Sequence, residues 1–222
     1  MEFKENTALI IGSAPVSEDD IIRASKACNL IIAADGGIGH LLKADIRPDI
    51  WAGDMDSTDE SLKQTAEARF PDTIIERFPP VKDDTDMALC VKTAADKGYR
   101  NIIILGGTGG SRIDHMLANI QLMHNYKDNG VNITMKDNDT EMFCLSLEER
   151  SFSEDQQGYI SLLSLTDHST VSVKGLFYEY EGALYNSYAL GVSNEFCGKR
   201  SFIKVTDGMI LVVRSPKDCQ IS

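Results

Sequence analysis

Residues 101–120 read NIIILGGTGGSRIDHMLANI, and they pass from an apolar run through a glycine-rich loop into a segment with helical periodicity. The β-branched run Asn101–Leu105 predicts a strand, and Ile113–Asn125 predicts an amphipathic helix. Its apolar stripe is expected to contain Ile113, Met116, Leu117, Ile120 and Met123. A strand that leads through a short loop into a helix is the repeating unit of helix-covered parallel sheets. This stretch therefore predicts an α/β fold.

The same alternation runs through the N-terminal part of the chain. A second amphipathic helix is predicted over Asp84–Lys97, with an apolar stripe formed by Met87, Ala88, Val91, Ala94 and Ala95. Further strands are predicted at Thr7–Ile11, Leu30–Ala34, Thr73–Glu76 and Val131–Met135. Residues 1–138 are therefore expected to form an α/β domain with a mostly parallel sheet.

From about Thr140 the pattern changes to short strands with alternating polar and apolar residues. Turn signals such as Gly182 and Asp207-Gly208 separate them. These strands are predicted at Glu141–Leu145, Tyr159–Leu165, Thr170–Lys174, Ser201–Val205 and Met209–Val213. Residues 139–222 are therefore expected to form an all-β sandwich domain.

The 222-residue chain has a formal net charge of −12, which disfavours binding to nucleic acid because no basic patch is visible. No apolar run approaches the roughly 20 residues of a membrane span, and the N-terminus lacks a secretory signal pattern. The scattered cysteines form no C-x-x-C pair and are interpreted as reduced thiols. A cytoplasmic protein without nucleic-acid or membrane partners is predicted. A phosphorylated ligand would need a divalent cation or backbone amides to offset the like charge.

Asp35-Gly36-Gly37 follows the predicted strand Leu30–Ala34. The carboxyl ends of strands are where open α/β sheets bind their ligands, and the two glycines allow a ligand to approach the backbone. The alternative is an ordinary turn in which the aspartate caps a helix.

Asp54 and Asp56 are separated by one residue and follow Gly53. If this segment is extended, both carboxylates point to the same side and can share a hard cation such as Mg²⁺. The alternative is a solvated acidic turn.

The segment Lys82-Asp83-Asp84-Thr85-Asp86 opens the predicted helix Asp84–Lys97. Helix capping explains an aspartate or a threonine at this place. Three aspartates among residues 83–86 exceed what one cap requires, which suggests a metal ion or a phosphate nearby. Lys82 could then contact a phosphate oxygen.

The glycine-rich loop after Asn101–Leu105 offers backbone amides to an anion at a helix N-terminus. It matches neither the Walker motif nor the G-x-G-x-x-G fingerprint. Arg112 offers a planar fork to a phosphate, whereas Asp114 could be a metal ligand or a base. His115 fits capping or packing as well as catalysis. Because loops after parallel strands meet at one sheet edge, these motifs are expected to form a single site.

Together the motifs resemble those of the bacterial thiamine pyrophosphokinase family. The resemblance rests on ADGG at 34–37, PDIWAGDMDS at 48–57, KDDTD at 82–86, GGTGGSRIDHMLAN at 106–119 and SNE at 193–195. It implies transfer of the pyrophosphoryl group of ATP to the thiamine hydroxyl, giving thiamine diphosphate and AMP. It also implies that residues 1–138 handle ATP and Mg²⁺, that residues 139–222 help to hold thiamine, and that a homodimer places its sites between subunits.

Carried over by position, the resemblance assigns Mg²⁺ to Asp54, Asp56 and Asp86. Asp35 and Asp114 frame the phosphates, and Arg112 supplies the main positive charge. Catalysis is thus assigned to Asp54, Asp56, Asp86, Asp114 and Arg112. The remaining nucleotide, phosphate and thiamine contacts are expected from Gly36, Gly37, Lys82, Asp83, Thr85, Gly107, Gly109, Ser193 and Asn194.

The chain departs from the family pattern in one respect. Some family members stack thiamine on a tryptophan near the C-terminus, and this stacking residue is called the aromatic wall below. The only tryptophan of this chain is Trp51. Phe196 and Tyr188 are the alternatives considered for this wall.

Two other functions compete with the kinase. Asp54-Met55-Asp56-Ser57-Thr58 also matches the D-x-D-x-T nucleophile motif of haloacid-dehalogenase-type phosphatases, whose first aspartate forms a phosphoryl intermediate. That interpretation leaves Asp35 and the glycine loop unexplained, and it places Gly53 where a long apolar strand is expected. A non-catalytic thiamine or nucleotide sensor is the third class, although simple binding would not need so many carboxylates.

Overall fold

The computed structural model of the chain describes residues 6–55, 58–78, 84–109 and 112–217. Contacts within the chain divide it into two compact units, Met1–Asn138 and Asp139–Ser222. The first unit is α/β and the second is all-β. The predicted fold class is confirmed. No helix within the described residues is long and apolar enough to cross a membrane.

The first unit contains parallel strands that lie side by side in the order β6-β5-β1-β2-β3-β4. Their bounds are β1 Thr7–Ile11, β2 Leu30–Ala34, β3 Ile50–Gly53, β4 Ile74–Arg77, β5 Asn101–Leu105 and β6 Asn132–Asp137. The helices are α1 Glu18–Ser25, α2 Ile38–Lys43, α3 Glu60–Arg69, α4 Asp86–Asp96 and α5 Ile113–Asp128. The chain leaves β1 toward β2 and later returns to pair β5 with the other side of β1. This reversal of strand order creates a crevice between the carboxyl ends of β1 and β5.

The central strand β1 is buried at all five positions, as expected for a strand covered on both faces. Ile11 at its end pairs with Leu105 at the end of β5, so the two loops that follow begin at the same level. Trp51 in β3 is also buried, and its indole Nε1–H donates to the carbonyl oxygen of Asp35 at 3.0 Å. The sheet core therefore holds the turn that carries Asp35.

The segment before Asp54 forms a strand that was not among those predicted from the sequence. Ile50–Gly53 is a buried strand that pairs with β2 and β4, although Trp51, Ala52 and Gly53 give it no β-branched run. The condition of an extended segment after it is not met at Met55, which has a φ of 63°. The argument that Asp54 and Asp56 point to the same side of an extended strand therefore does not apply. Asp56 itself lies outside the described residues.

The apolar stripe predicted for α5 is confirmed at Met123, which is buried, and wrong at Ile113 and Leu117. Ile113 and Leu117 are 64% and 54% exposed, whereas the buried residues are Asn119 and Met123. The helix packs against β6 and α4, and this packing buries Asn119 together with Met123 but leaves Ile113 and Leu117 of the first turns exposed. In α4 the buried residues are Met87, Cys90, Val91 and Ala94, so the predicted stripe holds apart from Ala88 and Ala95.

The second unit is a sandwich of antiparallel strands. One layer has the order β12-β9-β14-β7 and the other has the order β11-β10-β13-β8. Their bounds are β7 Thr140–Ser146, β8 Glu149–Phe152, β9 Tyr159–Ser164, β10 His168–Lys174, β11 Tyr180–Tyr185, β12 Asn194–Glu195, β13 Ser201–Asp207 and β14 Met209–Ser215. Alternate residues from both layers, such as Ile160, Val171 and Ile203, are buried in one apolar cluster.

The close packing of the turn after β2 predicts opposite effects for two neighbouring glycines. A Cβ at Gly37 would lie 1.9 Å from the carbonyl oxygen of Ile11, whereas a Cβ at Gly39 would meet Leu62 Cδ2 at 3.5 Å. Gly37→Ala should therefore lower the free energy of unfolding by about 3 kcal/mol. Gly39→Ala lies inside α2 and should raise it by about 0.5 to 1 kcal/mol. Urea denaturation measures both, and equal midpoints for the two variants would contradict the expectation.

Candidate active site

A pocket of about 540 Å³ opens at the carboxyl ends of β1, β2 and β5 in the first unit. The first turns of α4 and α5 contribute to its walls. The described residues that line it are Gly12, Ser13, Ala14, Pro15, Ala34, Asp35, Thr85, Asp86, Met87, Gly106, Gly107, Gly109, Arg112, His115, Met116 and Asn119. Three of the predicted motifs thus meet in one pocket, as expected for loops that follow parallel strands.

Backbone from β1 and β5 forms part of the pocket wall without intervening side chains. The Gly12 N–H donates to the Leu105 carbonyl at 2.8 Å, and the Ala14 N–H donates to the Gly106 carbonyl at 3.2 Å. A Cβ on Gly12 would lie 2.3 Å from the Gly106 oxygen, and Gly106 has a φ of 66°. Only glycine fits both positions, so the crevice stays open to a ligand that approaches the main chain.

Asp35 is held in a left-handed conformation with a φ of 47°. The Trp51 indole fixes its carbonyl, and the Gly53 backbone packs so closely that a Cβ on Gly53 would lie 3.0 Å from the Asp35 Cα. Its carboxylate oxygen Oδ1 is buried. Aspartate tolerates this conformation better than most residues, and such strain is typical of functional sites. The structure thus presents the Asp35 carboxylate at the pocket from a rigid turn.

The start of α4 shows both capping and a pocket carboxylate. The Thr85 hydroxyl accepts a hydrogen bond from the Ala88 N–H at 3.1 Å, as expected of an N-cap residue. Asp86 follows in the first helical turn, is half-buried and lines the same pocket as Asp35. The capping interpretation therefore accounts for the Thr85 oxygen. Lys82 and Asp83 lie outside the described residues.

Arg112 and Asp114 form a two-pronged ion pair at the start of α5. Arg112 Nε donates to Asp114 Oδ1 at 3.0 Å, and Nη2 donates to Oδ2 at 2.7 Å. The hydrogen bond to Arg112 lowers the pKa of Asp114 from 3.8 to about 2. The same bond raises the pKa of Arg112 above its usual range. A carboxyl group this acidic has little affinity for a proton at neutral pH, which favours a charge-pairing role for Asp114 over a basic one.

Several predicted residues do not line this pocket. Asp54, Gly36, Gly37 and Asp114 are absent from its described lining. Gly53 nevertheless packs closely against the Asp35 backbone. Asp54 is the next residue in the chain after this contact. Within the described ranges, no three histidine, cysteine or acidic side chains gather closely enough to hold a metal ion by themselves.

The segment Ser193–Asn194 lies in the second unit, where hydrogen bonds fix it firmly. Ser193 has a φ of 60°, and its N–H donates to Ser161 Oγ at 3.0 Å. The Asn194 side chain accepts from the Tyr178 N–H at 2.9 Å and donates to the Tyr178 carbonyl at 2.7 Å. Asn194 thus clasps the loop that carries Phe177 and Tyr178.

That loop exposes an aromatic pair that sequence reasoning missed. Phe177 and Tyr178 are 63% and 64% exposed, and their ring centroids are 4.8 Å apart. Phe196, one alternative for the aromatic wall, is 8% exposed and packs edge-to-face on Phe152, so burial excludes it from that role. Tyr188, the other alternative, is exposed. The aromatic dipeptide after Gly175-Leu176 was the signal available in the sequence.

Two further pocket elements were missed at the sequence level. The loop Gly12–Pro15 follows β1 and lines the pocket, and its sequence signal was a Gly-Ser-Ala-Pro turn after an apolar strand. Asn119 was recognised as part of a motif, but it was not assigned to the site. Its burial on α5 was hidden by the more apolar side chains around it.

Comparison with known proteins decides the family. Residues 22–135 match the family model described as thiamin pyrophosphokinase, catalytic domain. Residues 150–210 match the model described as thiamin pyrophosphokinase, vitamin B1 binding domain. The first match alone spans more than half of the chain. The chain belongs to the thiamin pyrophosphokinase family.

Individual members of the thiamin pyrophosphokinase family agree with this assignment. Thiamine pyrophosphokinase of Bacillus subtilis (strain 168) is 29% identical over 189 residues, or 84% of this chain and 87% of that protein. A crystal structure of the B. subtilis protein superposes with a TM-score of 0.85 at 26% identity, covering 96% of this chain and all of the other. Thiamin pyrophosphokinase from Candida albicans has a TM-score of 0.79 at 18% identity, over 94% of this chain and 88% of that one, and this likeness supports the fold alone.

These matches confirm the predicted family and the prediction of a thiamine pyrophosphokinase. They give no support to the phosphatase or the sensor alternative. The catalytic-domain match includes the pocket residues from Ala34 to Asn119. The vitamin B1 binding match includes Asn194 and the Tyr178 backbone to which it is hydrogen-bonded. Apart from the loop Gly12–Pro15, the lining of the pocket therefore lies within the segment that matches the thiamin pyrophosphokinase catalytic domain.

The ion pair at the start of α5 predicts a measurable titration. In Arg112→Gln the pKa of Asp114 should rise from about 2 toward 3.8, because both guanidinium hydrogen bonds are lost. Since the folded-state pKa is depressed, the stability that this pair contributes is present above pH 3.8 and is lost as the pH falls through about 2. Carbon-13 NMR of the carboxyl groups measures the midpoints.

Asp155 provides the control for this titration. Its pKa is lowered chiefly by a hydrogen bond from Ser153, and it lies in the other unit. Its midpoint should therefore be the same in the wild type and in Arg112→Gln. An Asp114 midpoint that stays at its wild-type value in the variant would contradict the assigned cause.

Proposed function

We propose that the pocket at the carboxyl ends of β1, β2 and β5 is where the pyrophosphoryl group of ATP passes to the hydroxyl of thiamine, giving thiamine diphosphate and AMP. One observation carries this assignment: the bare glycine backbone of Gly12 and Gly106–Gly107 lines the same pocket as Asp35, Asp86 and Arg112. Phosphate groups bind to backbone amides, to divalent cations held by carboxylates, and to arginine. The first unit is accordingly proposed as the ATP-binding catalytic domain.

The donor set fits Mg²⁺ in the manner usual for nucleotide enzymes. Mg²⁺ is commonly held by one or two carboxylates together with substrate phosphates and water, not by a complete protein cage. Asp35 and Asp86 line one pocket, Asp35 has a buried carboxylate oxygen, and both offer the hard oxygen ligands that this cation prefers. We assign Asp86 to the cation, and we keep Asp54 and Asp56 in this set on the family resemblance. When bound, the cation would neutralise charge on the phosphate oxygens.

The residues of the pocket can contribute positioning and charge compensation to the reaction. In the proposed step, the thiamine hydroxyl oxygen forms a bond to the β-phosphorus of ATP, and its proton is released to the solvent. The bond from that phosphorus to the oxygen bridging the α- and β-phosphates breaks, and AMP leaves with that oxygen. Arg112 offsets negative charge that develops on the phosphoryl oxygens, and Asp114 holds its guanidinium in place. The Gly106–Gly109 backbone lets the triphosphate approach the main chain.

We assign thiamine binding to the second unit, through the segment Ser193–Asn194 and the aromatic pair that it holds. Phe177 and Tyr178 present exposed rings, and thiamine combines a flat pyrimidine with a cationic thiazolium ring. Aromatic faces attract both flat rings and cations. Asn194 fixes the Tyr178 backbone through two hydrogen bonds, so the rings project from a rigid base. The Asn194 amide is proposed to organise this loop.

A homodimer with sites between subunits is proposed on the family resemblance. Exposed apolar side chains in each unit are consistent with it: Ile113 and Leu117 in the first, and Tyr185, Tyr188, Leu190 and Val192 in the second. Light scattering should give a solution mass of two 24.5 kDa chains, and a monomer at assay concentrations would contradict the proposal.

A cytoplasmic location is also proposed. Among the described residues, Cys28, Cys90, Cys144 and Cys197 form no disulfide, as expected in a reducing compartment. Cell fractionation tests this placement, and recovery with periplasmic or extracellular markers would refute it.

The proposed catalytic role of Asp86 predicts a large and specific loss of activity. Asp86→Asn should lower the rate of AMP and thiamine diphosphate formation by about 10²-fold or more, because a metal ligand at the phosphates is lost. Asp96→Asn is the matched control, since Asp96 ends the same helix and pairs with Lys92 on the exposed surface. Its rate should stay within about twofold of wild type. Mass detection of both products from ATP, Mg²⁺ and thiamine measures the rates, and a normal rate for Asp86→Asn would refute the role.

The proposed aromatic wall predicts a selective effect on thiamine. Replacing both Phe177 and Tyr178 by leucine keeps apolar bulk but removes the aromatic faces, so the KM for thiamine should rise about tenfold. The KM for ATP should stay within about twofold of wild type, because the loop lies outside the catalytic-domain match. Tyr188→Leu is the comparison variant. If Tyr188→Leu alone raises the KM for thiamine, the wall belongs to Tyr188.

A further inference from the structure

Asn119 is a buried polar residue for which the proposed reaction has no assigned task. It is 6% exposed, and Nδ2 donates to the carbonyl oxygen of Gly107 at 2.7 Å. The bond joins the second turn of α5 to the glycine loop that precedes the helix. Buried side-chain amides are costly unless they are hydrogen-bonded, so this contact is a fixed feature of the fold.

The carbonyl that Asn119 holds belongs to a loop with little freedom at its first residues. Gly106 is locked against the backbone of Gly12 and Ala14. A Cβ at Gly107 would lie 2.6 Å from Ile104 Cγ2 and 3.4 Å from Asn119 Nδ2, so Gly107 packs directly between them. Beyond it the loop turns again at Gly109, which has a φ of 76°. The Asn119 bond is thus placed between the rigid and the exposed parts of the loop.

Asn119 also lies on the same face of α5 as Arg112, the positively charged residue of the pocket. Arg112, Met116 and Asn119 are spaced so that they fall on the same side of α5, and all three line the pocket. The glycine loop that starts at Gly106 leads directly into α5 at Ile113. The Asn119 hydrogen bond therefore constrains the distance from the Gly107 backbone to the start of the helix, where Arg112 lies.

We propose that Asn119 is the positioning residue that holds the glycine loop and the Arg112 end of α5 in register for a triphosphate. It acts through the Gly107 carbonyl and takes no part in the transfer itself. The proposal rests on the proposed function only in naming ATP as the ligand. Its signature is a selective loss of nucleotide affinity that exceeds any general loss of stability.

The test compares two variants that remove the donor with one that removes packing alone. Asn119→Leu keeps the side-chain volume but cannot donate, and Asn119→Asp keeps the shape but faces the Gly107 carbonyl with an acceptor. Met123→Ala is the control, because Met123 is buried one turn further along the same helix face. Calorimetry with Mg·ATP and separately with thiamine gives both dissociation constants, and thermal melts give the stability of each variant.

Both Asn119 variants should raise the dissociation constant for Mg·ATP about tenfold, with the constant for thiamine within about twofold of wild type. Met123→Ala should lower the melting temperature and leave both constants within about twofold of wild type. If the Asn119 variants bind Mg·ATP like the wild type, or lose ATP and thiamine in parallel with their melting temperatures, the residue is only structural. A wild type that binds ATP without forming thiamine diphosphate would refute the proposed function and leave this comparison valid.

Discussion

The close approach of the β1 and β5 backbones at their carboxyl ends is the constraint on which the pocket depends. Any side chain at Gly12 or Gly106 would collide with the other strand's main chain, so this crevice stays free of side chains. The rest of the site is arranged around it: Asp35 comes from the turn after β2, Asp86 from α4, and Arg112 from α5. The strand order places these segments together because the chain reverses direction across the sheet at this point. Fold and site are therefore consequences of the same geometry.

The sequence predicted most of the sheet because its strands are long apolar runs or regular alternations. β1, β2 and β5 begin and end where the apolar runs Thr7–Ile11, Leu30–Ala34 and Asn101–Leu105 predicted. β3 was missed because Trp51 and Gly53 lack β-branching, and pairing with strands on both sides supplies what local preference does not. α3 was missed for a related reason, since Ala66 is its only residue described as buried and little periodicity marks it.

The candidate site was predictable in its motifs and less so in its detail. Loops after parallel strands must meet, so the sequence suffices to bring Asp35, Asp86 and Arg112 together. The sequence could not show that Arg112 is already engaged by Asp114, since that depends on side-chain geometry at a helix start. In a chain with a net charge of −12, a guanidinium bound to a neighbouring carboxylate is kept in place but partly neutralised. For the proposed ATP ligand, much of the attraction must then come from the proposed Mg²⁺ and the backbone amides.

The hydrogen bond from Trp51 to Asp35 makes the fluorescence of Trp51 sensitive to the turn after β2. This is the only indole in the chain, it is almost fully shielded from water, and its N–H is joined to the turn that presents the pocket carboxylate. Indole emission responds to changes in hydrogen bonding and local electric field. The molecule thus contains an intrinsic fluorescent reporter at one edge of the candidate pocket, and no second indole in the chain contributes to its signal. Events at the β2 turn can be followed by light without attaching a label.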